Sequence, residues 1–220
     1  MTLSIILGIV CCIPVMYILD MLLMLFTTIN AKARWYAIHC LTNAMVAIYA
    51  APDLYQQLST YNPQYDRPSI FPAVVVMALH VFHCLVYTIN SGDILHHAVM
   101  CTVLLIPLLN SNDTQMMGFT NCGLFFLSGL PGGIDYYLMV LVETGQITKQ
   151  VEKYYNLYLN TWIRSVGILY GAFCAYQQWL MGNVHSIYAW PAILSLVWNA
   201  QYYSSQVAQS YGRACLKELS

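Results

Sequence analysis

Charge is scarce in this chain. Only 8% of its 220 residues are Asp, Glu, Lys or Arg, against about 25% in an ordinary soluble domain, while 59% are hydrophobic. With a net charge of −1 and no basic tract, nothing favours a nucleic-acid partner. No Gly-x-Ser-x-Gly elbow, phosphate loop or Cys-His pairing at informative spacing occurs, so nucleophile and nucleotide chemistry find no motif to rest on. Internal repeats and low-complexity tracts are also missing. The eight cysteines, at 11, 12, 40, 84, 101, 122, 174 and 215, follow neither a disulfide nor a zinc-site spacing. They lie mostly in apolar segments and read as small core residues. The first segment lacks a positively charged lead-in and a small-residue cleavage site, and it runs longer than a signal core, so it reads as a retained span.

What is present is apolar length. The chain can hold about seven spans of roughly 20 residues, with little left for a soluble domain, and we read residues 1–220 as one integral membrane domain. The predicted spans are 3–29, 35–51, 70–89, 94–109, 116–143, 154–181 and 187–207. The second is expected to end at Pro52, where a helix would break. Residues 53–69 form the longest polar connection. The fifth span carries Gly129-Leu130-Pro131-Gly132-Gly133 and is read as one crossing built from a broken helix, because 134–142 is too short to span alone. A short tail carries Arg213 and Lys217.

The positive-inside rule tests this count. Seven crossings with the N-terminus outside place Lys32, Arg34, Lys149, Lys153, Arg213 and Lys217 on one side and Arg67 on the other, with Arg164 inside a span. The same topology puts His39, His83, His96, His97, Asp135 and Arg164 in the basic-side half of their spans. A shared polar chamber opening to that side is therefore expected. The basic side is the cytosol in an endomembrane of endoplasmic-reticulum type, or the matrix in an organellar inner membrane.

The densest chemistry lies between His80 and His97, where four of the six histidines fall. His80, His83 and Tyr87 are spaced i, i+3, i+7, and Asp93, His96 and His97 are spaced i, i+3, i+4, so each set shares one helix face. A short connection at 90–92 suits a helical hairpin that would bring the two faces together. Ionisable groups in an apolar setting are functional candidates by default. In an enzyme, His96 or His97 is the general base and Asp93 orients its imidazole. Otherwise the pair clamps a lipid headgroup, with His39, His80, His83, Asp135 and Arg164 as further lipid contacts. The bland reading is an interfacial helix start capped by Asp93. For Arg164, Asp135, Glu143 or a lipid phosphate are candidate partners, and snorkelling is the alternative. Asp20 is expected to face the bundle or a partner subunit.

His80, His83, His96 and His97 suffice in number for one zinc or iron. Six histidines are too few for the about eight that the pattern of membrane di-iron hydroxylases implies. Counting leaves open a metal, or a haem between His39 and His83 or His97, and we assign neither.

The chain resembles the TLC-domain family, which includes ceramide synthases and relatives of translocation-associated membrane proteins. Ala33-Arg34-Trp35 followed by His39, Asn43 and Ala44 is similar to that family's opening span, and Asp93-Ile94-Leu95-His96-His97 to its Asp-x-x-His-His block. The resemblance covers about residues 30–207. It implies an all-α bundle of six core helices, here with an N-terminal helix before them, enclosing a lipid-accessible cavity. In ceramide synthases the paired histidines are thought to serve acyl transfer from acyl-CoA to a sphingoid base, which would map onto His96 and His97. This chain departs from that subgroup: it has no second histidine motif of His-Asp type and no acidic run, and His80 and His83 are additions. A non-synthase member that binds or senses membrane lipids and influences lipid composition is the first expectation. A histidine-dependent lipid acyltransferase is the second, and an accessory subunit of a large membrane complex the third.

Overall fold

The computed structural model describes residues 2–60, 64–110 and 112–218. Within them the chain forms α1 (Thr2–Phe26), α2 (Ala31–Ser59), α3 (Phe71–Val86), α4 (Ser91–Leu109), α5 (Thr114–Leu124), α6 (Leu130–Glu143), α7 (Lys149–Tyr158), α8 (Ser165–Leu180) and α9 (Ser186–Glu218). Two π-helical turns, Phe125–Gly129 and Leu159–Arg164, join α5 to α6 and α7 to α8, so the described chain runs as seven rods. It is all-helical, with no strand among the described residues. Two stretches, Leu3–Phe26 and Thr114–Glu143, are helices long and apolar enough to cross a membrane. Phe71–Val86 and Ile94–Leu109 are apolar but shorter.

Local chemistry sets the rod ends. Asn30, Asp113 and Thr148 cap α2, α5 and α7, each side-chain oxygen accepting from the backbone amide three residues on, at 2.8, 2.9 and 3.3 Å. At the far ends of α6 and α8, Gly145 and Gly182 adopt φ of 73° and 74°. That left-handed conformation lets the Gly145 amide reach the Val142 carbonyl and the Gly182 amide the Trp179 carbonyl, both at 3.0 Å.

The third rod is the buried axis: every residue from Pro72 to His80 is buried. α1, α2 and α4 pack on it, and α8 pairs with α9 on the other flank. α2 meets α6 along a seam of small residues. A Cβ on Gly129 would lie 3.2 Å from the Ala47 backbone, and one on Gly132 would lie 2.8 Å from Asn43 Nδ2. Gly129 and Gly133, four residues apart, supply the small-residue spacing that lets helix backbones approach closely.

The helix boundaries differ from the sequence reading in three places. Pro52 does not end the second rod; α2 runs through it to Ser59. Its last turns are held from outside, because Asp53, Leu54 and Gln57 are buried. Asn121 Nδ2 donates to Asp53 Oδ2 at 2.6 Å, the Tyr65 hydroxyl to Gln57 Oε1 at 2.5 Å, and Gln57 Nε2 to Gln177 Oε1 at 3.2 Å. That tertiary packing outweighs the single backbone bond a proline removes. The glycine-proline segment does not break the fifth rod either. The π turn absorbs one extra residue, and Pro131 follows it directly, so the N–H that proline lacks falls where the helical register already shifts. The expected short tail is instead helical, extending α9 to Glu218.

Gly118 tests the packing between α5 and Tyr65, which lies in the connection after α2. A Cβ there would fall 2.1 Å from the ring of Tyr65, a side chain only 1% exposed. Gly118→Ala is expected to cost about 1–3 kcal/mol, the range for overpacking, while Gly212→Ala, with nothing within 4 Å, leaves stability unchanged or slightly raised. Thermal unfolding in detergent compares the two. Equal melting of both variants would contradict the Tyr65 placement.

Candidate functional site

Five of the six histidines meet in one place. His80 and His83 lie one turn apart on α3, His96 and His97 stand in the first turns of α4, and His39 comes from α2. Asn90 makes the connection tight, its Oδ1 accepting from Gly92 N at 2.8 Å and its carbonyl from Ile94 N at 3.0 Å. The rings pack closely: His80 and His83 both lie 4.8 Å from His97 between centroids, and His96 lies 5.4 Å from His80 and 5.5 Å from His97. His83 Nδ1 and His97 Nε2 are 2.7 Å apart, so one ring carries the shared proton and the other accepts it. His80 Nδ1–H donates to the Val76 carbonyl at 2.7 Å and His39 Nδ1–H to the Trp35 carbonyl at 3.1 Å. A carbonyl only accepts, which fixes both tautomers with Nε2 bare. His39, His80, His83 and His97 are buried and His96 is partly exposed. The side chain of Asp93, the predicted orienting carboxylate, lies outside the described residues.

Trp35 organises the inner side of this cluster. Its indole lies 3.4 Å from His39 and 3.8 Å from His83, while the two imidazoles are 6.2 Å apart. The indole therefore stands between them, in the space a haem bridging His39 and His83 would need. Trp35 also meets Tyr87 at 5.0 Å. The Tyr87 hydroxyl donates to Asp20 Oδ1 at 2.7 Å, and Arg34 Nε donates to the same oxygen at 2.9 Å. Asp20 thus faces the bundle, paired with an arginine read from sequence as part of a loop.

Asp135 and Arg164 lie beside the histidines rather than among them. Tyr136 stacks on His39 at 4.2 Å, which brings α6 to the cluster at the residue after Asp135. The Arg164 guanidinium sits over the Tyr203 ring at 5.5 Å, and the Tyr203 hydroxyl reaches His96 Nδ1 at 3.3 Å. Asp135 Oδ1 and Arg164 Nε are buried without a hydrogen-bond partner among the described residues, within electrostatic reach of each other. Glu143 is not the partner of Arg164: it pairs with Lys32 at 2.7 Å, at the surface. Buried Glu152 completes this side, taking Lys149 at 2.7 Å and the Asn156 amide at 3.1 Å.

A cavity of about 290 Å³ opens next to His96. It lies between α4, α5 and α9, with walls such as Val99, Val103, Leu104, Phe119, Leu124 and Leu196. Its polar groups include His96, Tyr203 and Asn199, and the buried Asn199 Oδ1 has no hydrogen-bond partner among the described residues. The volume sits at the lower bound of small-molecule sites, about 300 Å³. Chemically, the arrangement offers bare Nε2 atoms on His39 and His80 that accept protons or ligate cations, and an apolar slot that the neighbouring His96 lines.

The spacing of His80, His83, His96 and His97 pointed to this cluster. Tyr136, Tyr203 and Asn199 carry no sequence signal, because an aromatic or amide in an apolar helix looks like any interface or core residue, and Trp35 entered only as part of the Ala33-Arg34-Trp35 resemblance. Arg34-Trp35 ahead of His39 was the one local signal available. No family model, curated protein or solved structure matches the chain.

Asp20 and Arg34 expose only 9% and 15% of their side chains, so losing one partner strands the other in a poorly hydrated setting. Arg34→Met is expected to destabilise the fold by about 3–5 kcal/mol, and adding Asp20→Asn recovers part of that loss. A double-mutant cycle on unfolding midpoints measures the coupling. Strict additivity would mean that the pair does not act as a unit.

Proposed function

We propose that this chain is a multi-span membrane protein of TLC-like type that holds a lipid in the cavity beside His96 and thereby senses or influences membrane lipid composition. The observation that carries this is one apolar cavity ending in His96, Tyr203 and Asn199, next to a buried histidine cluster. An acyl chain would lie along Val99, Val103 and Leu124, with its polar head at the imidazole and phenol. An anionic headgroup would draw further on Arg164, whose guanidinium already rests on Tyr203. Large apolar side chains exposed along the rods, including Leu7, Ile48, Leu95, Trp162 and Leu194, support contact with hydrocarbon rather than water. Seven rods in the order of the seven expected spans support seven crossings, with the basic loops on the side opposite the N-terminus. The Asp-x-x-His-His block and the Ala-Arg-Trp opening support the family reading, and with it an endomembrane of endoplasmic-reticulum type ahead of an organellar inner membrane.

A second reading is acyl transfer from acyl-CoA. The 2.7 Å contact between His83 and His97 favours it, because a base held by a neighbouring ring is the arrangement general-base catalysis needs. The accessory-subunit reading keeps the scarcity of soluble mass as its motive but no longer needs Asp20, which is engaged within the chain.

Native mass spectrometry of the gently released protein tests the first reading. The wild type is expected to carry one co-purified lipid, and Val103→Trp, which fills the cavity, is expected to lose it while staying folded. Equal retention by both forms would place the lipid elsewhere. For the second reading, His97→Ala should abolish turnover of an acyl donor in a protein with wild-type melting; unchanged turnover would remove His97 from the chemistry. Glycosylation acceptors carried on loop extensions check topology. One at Gly182 is expected to be modified in microsomes and one at Gly145 is not, whereas modification of both, or the reverse pattern, would break the seven-span parity.

A further inference from the structure

One ring nitrogen from each of His80, His96 and His97 lies within 4.8 Å of the other two. We propose that these three histidines bind a single late first-row divalent ion, with Zn²⁺ as the foremost candidate. Three neutral imidazoles are a complete protein donor set for such an ion, and they leave one coordination position open.

The second ring nitrogens make the case. A ligating imidazole is held by a hydrogen bond to its other nitrogen, which sets its tautomer and aims its lone pair. All three rings have that support. His80 Nδ1–H is bonded to the Val76 carbonyl at 2.7 Å, His96 Nδ1 meets the Tyr203 hydroxyl at 3.3 Å, and His97 Nε2 meets His83 Nδ1 at 2.7 Å. For His80 the carbonyl leaves no choice: Nδ1 carries the hydrogen and Nε2 presents its lone pair.

The electrostatics agree. Packing three imidazoles together, two of them on one turn of α4, gathers lone pairs and offers no described carboxylate to balance a charged ring. A cation at their centre can be held by one nitrogen from each ring. Nitrogens around a tetrahedral ion at about 2.0–2.1 Å stand roughly 3.4 Å apart, so the cluster has to contract by about 1.4 Å at most. Cys84 and Cys101 flank the region but belong to no ligand group with these histidines.

Because His96 also lines the cavity, the open position falls at the cavity's polar end. Ion binding and lipid binding are nonetheless separate claims, and each can fail alone.

The test uses the full chain in mild detergent, purified without a histidine tag, stripped with a chelator and dialysed against Zn²⁺ or Co²⁺. One ion per chain is expected by elemental mass spectrometry, with visible absorption of low-coordinate Co²⁺. X-ray absorption of the Zn²⁺ form is expected to show about three imidazoles at 2.0–2.1 Å. His80→Ala, His96→Ala and His97→Ala should each weaken binding at least tenfold, and His83→Ala by 10–100-fold as an outer-shell change. His185→Ala, at an exposed residue outside the cluster, should bind as the wild type does. A wild type that takes up neither ion, sulfur ligation in the absorption spectrum, or uptake unchanged by all three substitutions overturns the proposal. If the alanine variants do not fold, the wild-type absorption spectrum decides alone.

Discussion

The contact between His83 and His97, 2.7 Å from nitrogen to nitrogen, ties the third rod to the fourth where few other contacts do. An imidazole taken out of water needs a hydrogen-bond partner or an ion, and the cost of leaving it without one exceeds the gain from an ordinary apolar contact. That requirement sets the geometry around it. α3 is buried along most of its length, so its two histidines can only be satisfied by neighbours, and the tight Asn90 connection delivers α4's histidines at the right height. Trp35 closes the other side by filling the gap between His39 and His83 with an indole.

The same rule explains polar pairs that otherwise look unrelated. Asp20, alone on an apolar helix, is met by Arg34 and Tyr87. At the far end of the bundle, Asp53 and Gln57 are met by Asn121, Tyr65 and Gln177, and those contacts carry α2 past Pro52. Among the described residues, matching is incomplete at Asp135, Arg164 and Asn199, and also at Asn121 and Gln178; of these, Asn199 lines the cavity. An unmatched polar atom there is what a site waiting for a polar ligand would show.

Much of this was legible in the sequence, and the reasons are specific. Seven apolar runs separated by polar turns mapped onto seven rods, because helix length and apolar content are local properties. The i, i+3 and i, i+4 spacing at His80, His83, Asp93, His96 and His97 reported shared faces directly. Other features were not legible. Whether Pro52 ends a helix depends on Asn121, 69 positions away, and nothing local to Asp20 says that Arg34, 14 positions on, is the group it meets. The cavity is formed by α4, α5 and α9 together, and no single segment carries a sign of it.

The division between the polar cluster and the apolar cavity bears on function most. A histidine cluster sealed inside the bundle could do little beyond holding helices together, and a cavity lined only with hydrocarbon could bind chains without telling one headgroup from another. His96 belongs to both, partly exposed, with His80 and His97 on one side and Tyr203 on the other. Tyr203 in turn carries Arg164. On the proposed lipid reading, a group entering the cavity head-first would meet an imidazole and a phenol, with Arg164 behind the phenol, and the state of the imidazole cluster would reach it through His96. On that reading, selectivity would fall on the head rather than the tail of an occupant, since the cavity walls are mostly apolar and the polar groups sit at the His96 end.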